Sequence, residues 1–212
     1  MSVRPRNGIT RAMRPRKHAQ ISPSPVPVAL LIVDVITTFG FPDGDEILQQ
    51  ALLMRDALVK LKARARQIGM PVLYVNDNFG DWRSEKEILM GRCLEAKGGE
   101  FVRSLMPDSD DYFVLKPMHS AFYMTPLEVL LRHLKINVLI LTGLTSNSCL
   151  TVTAHDANMR GFNIYIPRDC SCARNFEEHS QALNQLGMMA GVNTTPSTSL
   201  KLPNVVRKAQ RF

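Results

Sequence analysis

Three side chains with complementary chemistry each stand at the end of an apolar segment. Asp34 ends the run VALLIVD, Lys116 follows YFVL, and Cys149 follows NVLILT and a stretch of small residues, where a helical pattern begins. A nearby lysine and a helix N-terminus both favour the thiolate form of a cysteine, which is its nucleophilic form. An aspartate can accept the thiol proton. Together, these residues predict a cysteine nucleophile activated by an acid–base pair.

Each of the three residues also has an ordinary structural interpretation. Free cysteine often packs as a small buried hydrophobe, a strand-end aspartate can serve as a cap, and a lysine can be a solvated surface residue. However, a charged Asp34 behind five aliphatic residues is costly without a partner, and Lys116 presents the same problem. Pairing the two beside Cys149 solves both problems, so the combination favours a catalytic site.

Apolar runs alternate with helical patterns along most of the chain. The runs predicted as strands are 28–34, 71–76, 112–115, 137–142 and 163–167, with 192–195 as the candidate for a sixth short strand. The segments expected to be helical are 45–69, a stretch around 95–106, one that starts at 125, 149–161 and 176–189. Fully apolar strands that alternate with helices are typical of a parallel sheet covered on both faces. We therefore predict an α/β fold, a three-layer α/β/α sandwich with a mostly parallel sheet of about six strands.

The order of the elements predicts where the site lies. In open parallel sheets, sites form just beyond the carboxyl ends of the strands, where all three candidate residues stand. Small residues at 143–148 would let the backbone approach a substrate, and N–H groups there could hold an oxyanion. Asn78 follows the second strand and could polarise a substrate or form an Asx turn. Trp82 could form a pocket wall or plug a local core.

The charge is concentrated at one end of the 212-residue chain. The formal net charge is +7, and the first 33 residues hold six basic residues and no acidic one, whereas the remaining 20 basic and 19 acidic residues nearly cancel. Residues 1–27 therefore read as a basic, Pro- and Ser-rich N-terminal arm, expected to be flexible, and 28–212 as a single domain. Nucleic-acid binding is disfavoured, although the arm could dock on a neighbouring subunit or a polyanion.

The cysteines and the apolar runs indicate in which cellular compartment the protein is expected. The four cysteines lack the paired spacing of a zinc site, no run approaches the ~20 apolar residues of a membrane helix, and residues 1–27 contain no apolar signal core. We therefore expect reduced thiols in a cytoplasmic protein that has no membrane partner. Cys170 and Cys172 could form a metal or redox pair, but no His or Cys cluster accompanies them.

Three blocks of the sequence resemble one known family. They are ALLIVDVITTF, VLKPMHSAF and LTGLTSNSCLTVTAHDANMRGFNIYIPRD, in that order, and the third combines G-x-x-x-x-x-C with T-A-x-D-A and a following G-F. The chain is similar over roughly residues 28–195 to the isochorismatase-like cysteine hydrolases. This family includes nicotinamidases, carbamoylsarcosine-type amidohydrolases and ureidoacrylate hydrolases.

The resemblance implies a role for individual residues. The family's catalytic aspartate, lysine and cysteine fall on Asp34, Lys116 and Cys149, and its oxyanion hole falls on the backbone N–H groups of Thr145 and Cys149. A cis peptide bond is implied between residues 144 and 145. Two aromatic residues at matching positions, Phe39 and Phe122, are candidate pocket walls.

The chain also departs from the family pattern. The family often has D-x-Q-x-x-F in the first block, whereas Ile36 replaces the glutamine here. Nicotinamidases carry an Asp-x-His and a further His for a metal ion after the second strand, but no His occurs between residues 19 and 118. The resemblance therefore points to a metal-independent subgroup, with no cofactor.

The expected function is hydrolysis of a small-molecule amide, carbamoyl or ureido substrate through a Cys149 thioester. The alternatives are vinyl-ether hydrolysis of the isochorismatase type, which needs no sulfur nucleophile, and a non-catalytic binding or scaffold role on the same fold. The family forms dimers and tetramers, so the resemblance also implies a homo-oligomer.

Overall fold

The computed structural model describes residues 22–82 and 85–211. Residues 1–21 of the predicted N-terminal arm lie outside this range, and so do Arg83 and Ser84 of the segment that follows the second strand. The last part of the predicted arm packs against the domain, because the Ser24 N–H donates to the Leu134 carbonyl and the Pro27 carbonyl accepts two backbone hydrogen bonds.

The strands form one parallel sheet. In chain order they are β1 (Val28–Val33), β2 (Val72–Asp77), β3 (Tyr112–Lys116), β4 (Val138–Leu144), β5 (Asn163–Tyr165) and β6 (Ser171–Cys172). The sheet runs in the order β3-β2-β1-β4-β5, and β6 pairs with the last two residues of β4. Every pair is parallel, so all strands of the described residues end at the same edge.

Seven helices of the described part cover the two faces of the sheet. They are α1 (Gly44–Gln67), α2 (Lys86–Glu95), α3 (Gly99–Ser104), α4 (Leu127–His133), α5 (Cys149–Met159), α6 (Phe176–Ala190) and α7 (Leu202–Ala209). One apolar core contains buried residues of α1, α2, α3 and α7, and the other contains buried residues of α4, α5 and α6. The predicted three-layer α/β/α sandwich is therefore confirmed.

The central strand β1 shows why the sequence folds into this arrangement. All six of its residues are fully buried. Successive side chains of a strand point to opposite faces, so Leu30 and Ile32 enter one core while Leu31 and Val33 enter the other. A strand that is buried on both faces must be apolar throughout, and the run VALLIV meets this requirement.

Some elements differ from those predicted. The sixth strand is Ser171–Cys172, whereas the 192–195 segment contributes only a single bridge between Asn193 and Tyr165. The helix expected around 95–106 is the shorter α3, and the sequence predicts neither α2 nor α7. A two-residue strand leaves no periodic signal in a sequence, because its position is fixed by pairing with β4. In the described part of the chain, no helix is long and apolar enough to cross a membrane.

Candidate active site

The three candidate residues converge at the point where the strand order reverses. The chain moves from β1 to β2 and β3 on one side, then returns to place β4 on the other side of β1. Asp34 directly follows β1, Lys116 is the last residue of β3, and Cys149 is the first residue of α5 behind β4. Ligands of open α/β sheets bind at such a switch point.

The Lys116 ammonium group lies at the centre of the site. Its Nζ is 2.9 Å from Asp34 Oδ2 and 3.3 Å from Asp77 Oδ2, and it donates to the Met118 carbonyl at 3.1 Å and contacts Cys149 Sγ at 3.6 Å. The Lys116 side chain is 0% exposed. Burial alone would lower its pKa, but the negative charges around it, Asp34 foremost, raise that pKa above the ordinary lysine value. Lys116 is therefore a buried cation that two carboxylates neutralise.

The Asp34 carboxylate is held by the lysine and by the backbone of β2. Its Oδ1 accepts the Asp77 backbone N–H at 2.8 Å, and its Oδ2 pairs with the Lys116 ammonium group, which also contacts Cys149 Sγ. Burial raises the pKa of Asp34, although Lys116 and the hydrogen bonds act in the opposite direction. A carboxyl group with a raised pKa can both accept and return a proton near neutral pH.

Cys149 is a thiol in the resting protein, in contrast to the thiolate that its sequence context favours. Burial and then the negative charge of Asp34 raise the pKa of Cys149 to about 12, against the opposing effect of Lys116. At neutral pH the protonated thiol is therefore the favoured form of Cys149.

The loop between β4 and α5 is fixed to the sheet by its backbone. The Gly143 N–H donates to the Cys170 carbonyl, and the Ser146 N–H donates to the Cys172 carbonyl. The Leu144–Thr145 peptide bond is cis, as the resemblance implies. Gly143 has a φ of 106°, and a Cβ atom there would lie 2.1 Å from the Val33 carbonyl oxygen. The close approach that requires glycine is thus to the neighbouring strand β1.

The two N–H groups assigned to an oxyanion hole have no acceptor among the residues that the structure describes. Ser146, Ser148 and Leu150 donate their N–H groups to backbone carbonyls. Within the described ranges, neither Thr145 nor Cys149 donates its N–H to a protein acceptor. Donors of this kind, close to the nucleophile, are able to stabilise a developing oxyanion.

A cavity of about 600 Å³ opens beside Lys116, within the size range of small-molecule sites. Asn78 and Trp82 both line it, and Trp82 is 81% exposed. Asn78 is buried, and its Oδ1 accepts the Gly80 N–H at 3.0 Å, which is the Asx-turn arrangement. A second cavity of about 440 Å³ lies between α1 and α6. The described residues that line it do not include Asp34, Lys116 or Cys149.

The structure places Phe39 and Phe122 in the two cores rather than on a pocket wall. Phe39 is fully buried, and its ring packs edge-on against Phe101 at 5.7 Å between ring centroids. Phe122 is 5% exposed, stacks on Phe162 and carries the Arg160 guanidinium over its face. Both aromatic residues support the loops of the site from behind, where burial of their rings stabilises the fold.

Two residues at the site were not assigned a role from the sequence. Asp77 is paired in register with Lys116 and holds its ammonium group; its position at the end of β2 was the signal that could have identified it. His119 has its Nδ1 3.8 Å from Cys149 Sγ. No periodicity predicts this contact, because it depends on the path of the loop after β3.

The described residues contain no cluster of three or more His, Cys, Asp or Glu side chains that could hold a metal ion. The four cysteines are free, and Cys170 and Cys172 are both buried. The groups available for chemistry at the switch point are therefore the thiol, the carboxylates, the ammonium group and the imidazole.

Comparison with known proteins agrees with this geometry. The family model "Isochorismatase domain" matches residues 28–197. An uncharacterized isochorismatase family protein, YaaI of Bacillus subtilis (strain 168), is 36% identical over 158 residues, which cover 74% of this chain and 87% of that protein.

Two solved structures extend the similarity to the fold. An isochorismatase family protein from Desulfovibrio vulgaris superimposes with a TM-score of 0.70 at 27% identity, covering 86% of this chain and 99% of that one. N-carbamoylsarcosine amidase from Thermoplasma acidophilum does so with a TM-score of 0.63 at 27% identity, covering 82% and 98%. The chain belongs to the isochorismatase family of hydrolases.

Proposed function

We propose that this protein is a cysteine-dependent amidase that hydrolyses a small amide, carbamoyl or ureido compound through a thioester on Cys149. The observation that carries the proposal is the position of the Lys116 ammonium group, whose Nζ lies 2.9 Å from Asp34 Oδ2 and 3.6 Å from Cys149 Sγ and so brings the carboxylate and the thiol to one point. A nucleophile joined to a base that a third group orients is the arrangement that covalent catalysis requires.

The first half of the reaction forms the thioester. Asp34 takes the thiol proton as Cys149 Sγ attacks the carbonyl carbon, and the carbonyl oxygen becomes an oxyanion that faces the Thr145 and Cys149 N–H groups. Protonated Asp34 then gives its proton to the leaving nitrogen, the C–N bond breaks and the amine departs. The raised pKa of Asp34 supports this step, since the carboxyl group must hold the proton in between.

The second half consumes water. A water molecule adds to the thioester carbonyl carbon, the C–S bond breaks, and the carboxylic or carbamic acid leaves while the sulfur regains a proton. Lys116 stays charged throughout, because its ammonium group compensates the negative charge that passes between Asp34 and the sulfur. The similarity to a carbamoylsarcosine amidase supports a carbon–nitrogen bond as the target.

The test is a screen for ammonia release from three panels of substrates: primary amides, carbamoyl compounds and ureido compounds. Wild-type protein and Cys149→Ala are compared, and intact-mass spectra after an acid quench detect the acyl-enzyme. We expect turnover within at least one panel and a loss of about 10³-fold or more in the variant. Circular dichroism of Cys149→Ala controls for folding.

The competing functions predict different outcomes. Full release of ammonia by Cys149→Ala would contradict the covalent scheme. Vinyl-ether hydrolysis of the isochorismatase type breaks no C–N bond, so it predicts no ammonia release from any of the three panels. Absence of turnover in all three panels, together with equal and slow labelling of every cysteine by iodoacetamide, would favour a binding role instead.

A further inference from the structure

The side chain of His119 is the one group at the nucleophile that the scheme above does not use. His119 Nδ1 is 3.8 Å from Cys149 Sγ. Among the residues that the structure describes, the sulfur of Cys149 is its only hydrogen-bond partner. His119 is exposed, whereas Lys116 is fully buried and the Asp34 side chain is 13% exposed. The sulfur therefore contacts a buried ammonium group, which is ion-paired with Asp34, and an exposed imidazole.

The backbone around His119 is held in place on both sides. Met118 accepts a hydrogen bond from Lys116 Nζ through its carbonyl. The buried Ser120 donates its hydroxyl to Asp156 of α5, and the Ala121 N–H donates to Thr153 Oγ1 of the same helix at 3.0 Å. The loop that carries His119 is thus tied both to the catalytic lysine and to the helix that begins with the nucleophile. The contact with Cys149 follows from this anchoring.

The buried side of the sulfur is poorly arranged to activate water. Asp34 Oδ1 already accepts the Asp77 N–H, and Oδ2 already faces the Lys116 ammonium group. Hydrolysis of a thioester requires a water molecule that reaches the carbonyl carbon from the open side of the site. A general base for that water must lie within hydrogen-bond reach of it. His119 is exposed and lies 3.8 Å from the atom that bears the acyl group.

We propose that His119 is a catalytic residue for the second half of the reaction, the general base that activates the water molecule that hydrolyses the Cys149 thioester. The inference rests on the proposed function. One water proton passes to the imidazole as the new C–O bond forms, and the C–S bond then breaks with its electron pair on sulfur. The imidazolium returns that proton to Cys149 Sγ, so the products are the free acid and the resting thiol.

Hydrolysis of 4-nitrophenyl acetate separates the two halves of the reaction. Acetylation of Cys149 releases 4-nitrophenolate, a leaving group that needs no proton, and the following steady state reports hydrolysis of the acetyl thioester. His119→Asn keeps a polar group at the site of Nδ1 but removes the base. His119→Ala leaves room for added imidazole. The matched control is His155→Asn, the same change at a histidine that lies in α5.

We expect wild type and His155→Asn to behave alike in stopped-flow measurements. His119→Asn and His119→Ala should keep the initial burst of one equivalent and lose about 100-fold in the steady-state rate, the usual scale of general base catalysis. Intact-mass spectra should show acetylated protein accumulating in both variants. Added imidazole should restore steady-state turnover in His119→Ala alone. If acetylation is the slow step in the wild type, the wild type shows no burst. The burst should then appear in the His119 variants, because hydrolysis of the thioester becomes their slow step.

Two failures can be told apart. Equal steady-state rates in wild type and His119→Asn, or a burst that slows in the variant as much as the steady state, would overturn the role of His119 and leave the covalent scheme intact. Phenolate release that is the same in wild type and Cys149→Ala, with no acetylated protein, would overturn the thioester itself and this inference with it.

Discussion

At the Cys149 sulfur, burial and charge oppose each other. Burial and the Asp34 carboxylate hold the proton on the thiol, and Lys116 only partly offsets them. The site is therefore an ion pair with a neutral thiol beside it, and in the proposed reaction a proton transfer to Asp34 generates the nucleophile. This arrangement keeps the thiol protonated until a substrate carbonyl is in place.

Asp34→Asn tests this balance. It removes the negative charge that raises the pKa of Cys149 and leaves Lys116, which lowers it. We expect that pKa to fall below about 12, so that iodoacetamide labels Cys149 faster at pH 9 than in wild type, while amidase turnover is lost. Each unit by which the pKa falls raises the thiolate fraction about tenfold.

Peptide mass spectrometry of the labelled protein reads out each cysteine separately. Cys93, whose pKa burial raises to about 11, is the internal control and should label at the same rate in both proteins. Slower labelling of Cys149 in the variant would show that Asp34 promotes alkylation as a base more than it suppresses ionisation.

Lys116→Met tests the role of the buried cation. Without the ammonium group, the carboxylates of Asp34 and Asp77, whose side chains are 13% and 28% exposed, lose the buried cation that neutralises them. Removing one partner of a buried ion pair typically costs about 3–5 kcal/mol, and we expect a loss of that size in urea unfolding at pH 7. The double variant Lys116→Met/Asp34→Asn should regain part of the stability but no activity. A single variant as stable as wild type would mean that burial of the lysine cancels its attraction to the carboxylates.

At the scale of elements, β4 positions the catalytic loop by lying unusually close to β1. Gly143 pairs with Val33, the residue before Asp34, and its positive φ is one that L-residues with a side chain rarely adopt. The Gly143 N–H donates to the Cys170 carbonyl just before β6, and the Ser146 N–H of the loop donates to the Cys172 carbonyl of β6. The distance between Asp34 and the nucleophile is thus determined by backbone contacts.

Gly143→Ala should disrupt this spacing. The added Cβ would lie 2.1 Å from the Val33 carbonyl oxygen and has no flexible neighbour that could move aside. We expect a loss of at least about 2 kcal/mol in the free energy of unfolding, and a lower turnover rate in whatever protein folds. The control is Gly187→Ala inside α6. There, the heavy atom nearest to the added Cβ, apart from the backbone of the helix itself, is the Val192 carbonyl oxygen at 3.8 Å. That change should stabilise the protein by about 0.5–1 kcal/mol. Equal stability of the two variants would contradict the close approach.

The sequence was most informative where burial on both faces forces an apolar strand. It predicted β1 to β5 and the three residues at their ends, because a charged group behind such a strand must find a partner. The sequence could not show in which direction the side chains of loop residues point. Phe39 and Phe122 follow the strands at family positions yet lie in the cores, while His119, in an unremarkable loop, reaches the sulfur. These directions depend on tertiary contacts such as Ser120 with Asp156.

At the scale of the whole molecule, the basic arm and the domain differ in charge, as predicted. However, the packed structure begins before residue 28, the predicted start of the domain. Ser24 and Pro27 form backbone hydrogen bonds with residues at and just before the start of β4. Val26 packs on the core that contains residues of α1 and α7, and Pro25 lies next to Gly69. Residues 24–27 therefore act as the first part of the packed structure, and the basic residues of the arm all precede them.

Two truncations locate this boundary. A chain that begins at Ser22 keeps these contacts, and one that begins at Val28 loses the hydrogen bond from Ser24 and both bonds to the Pro27 carbonyl. At roughly 1 kcal/mol for each of the three hydrogen bonds, and about 2–4 °C per kcal/mol for a domain of this size, we expect the shorter chain to melt about 6–12 °C lower in calorimetry. Both chains lack the basic residues of the arm, so charge is matched between them. The same melting temperature for both would show that residues 22–27 add nothing to the fold, and that the domain begins at β1.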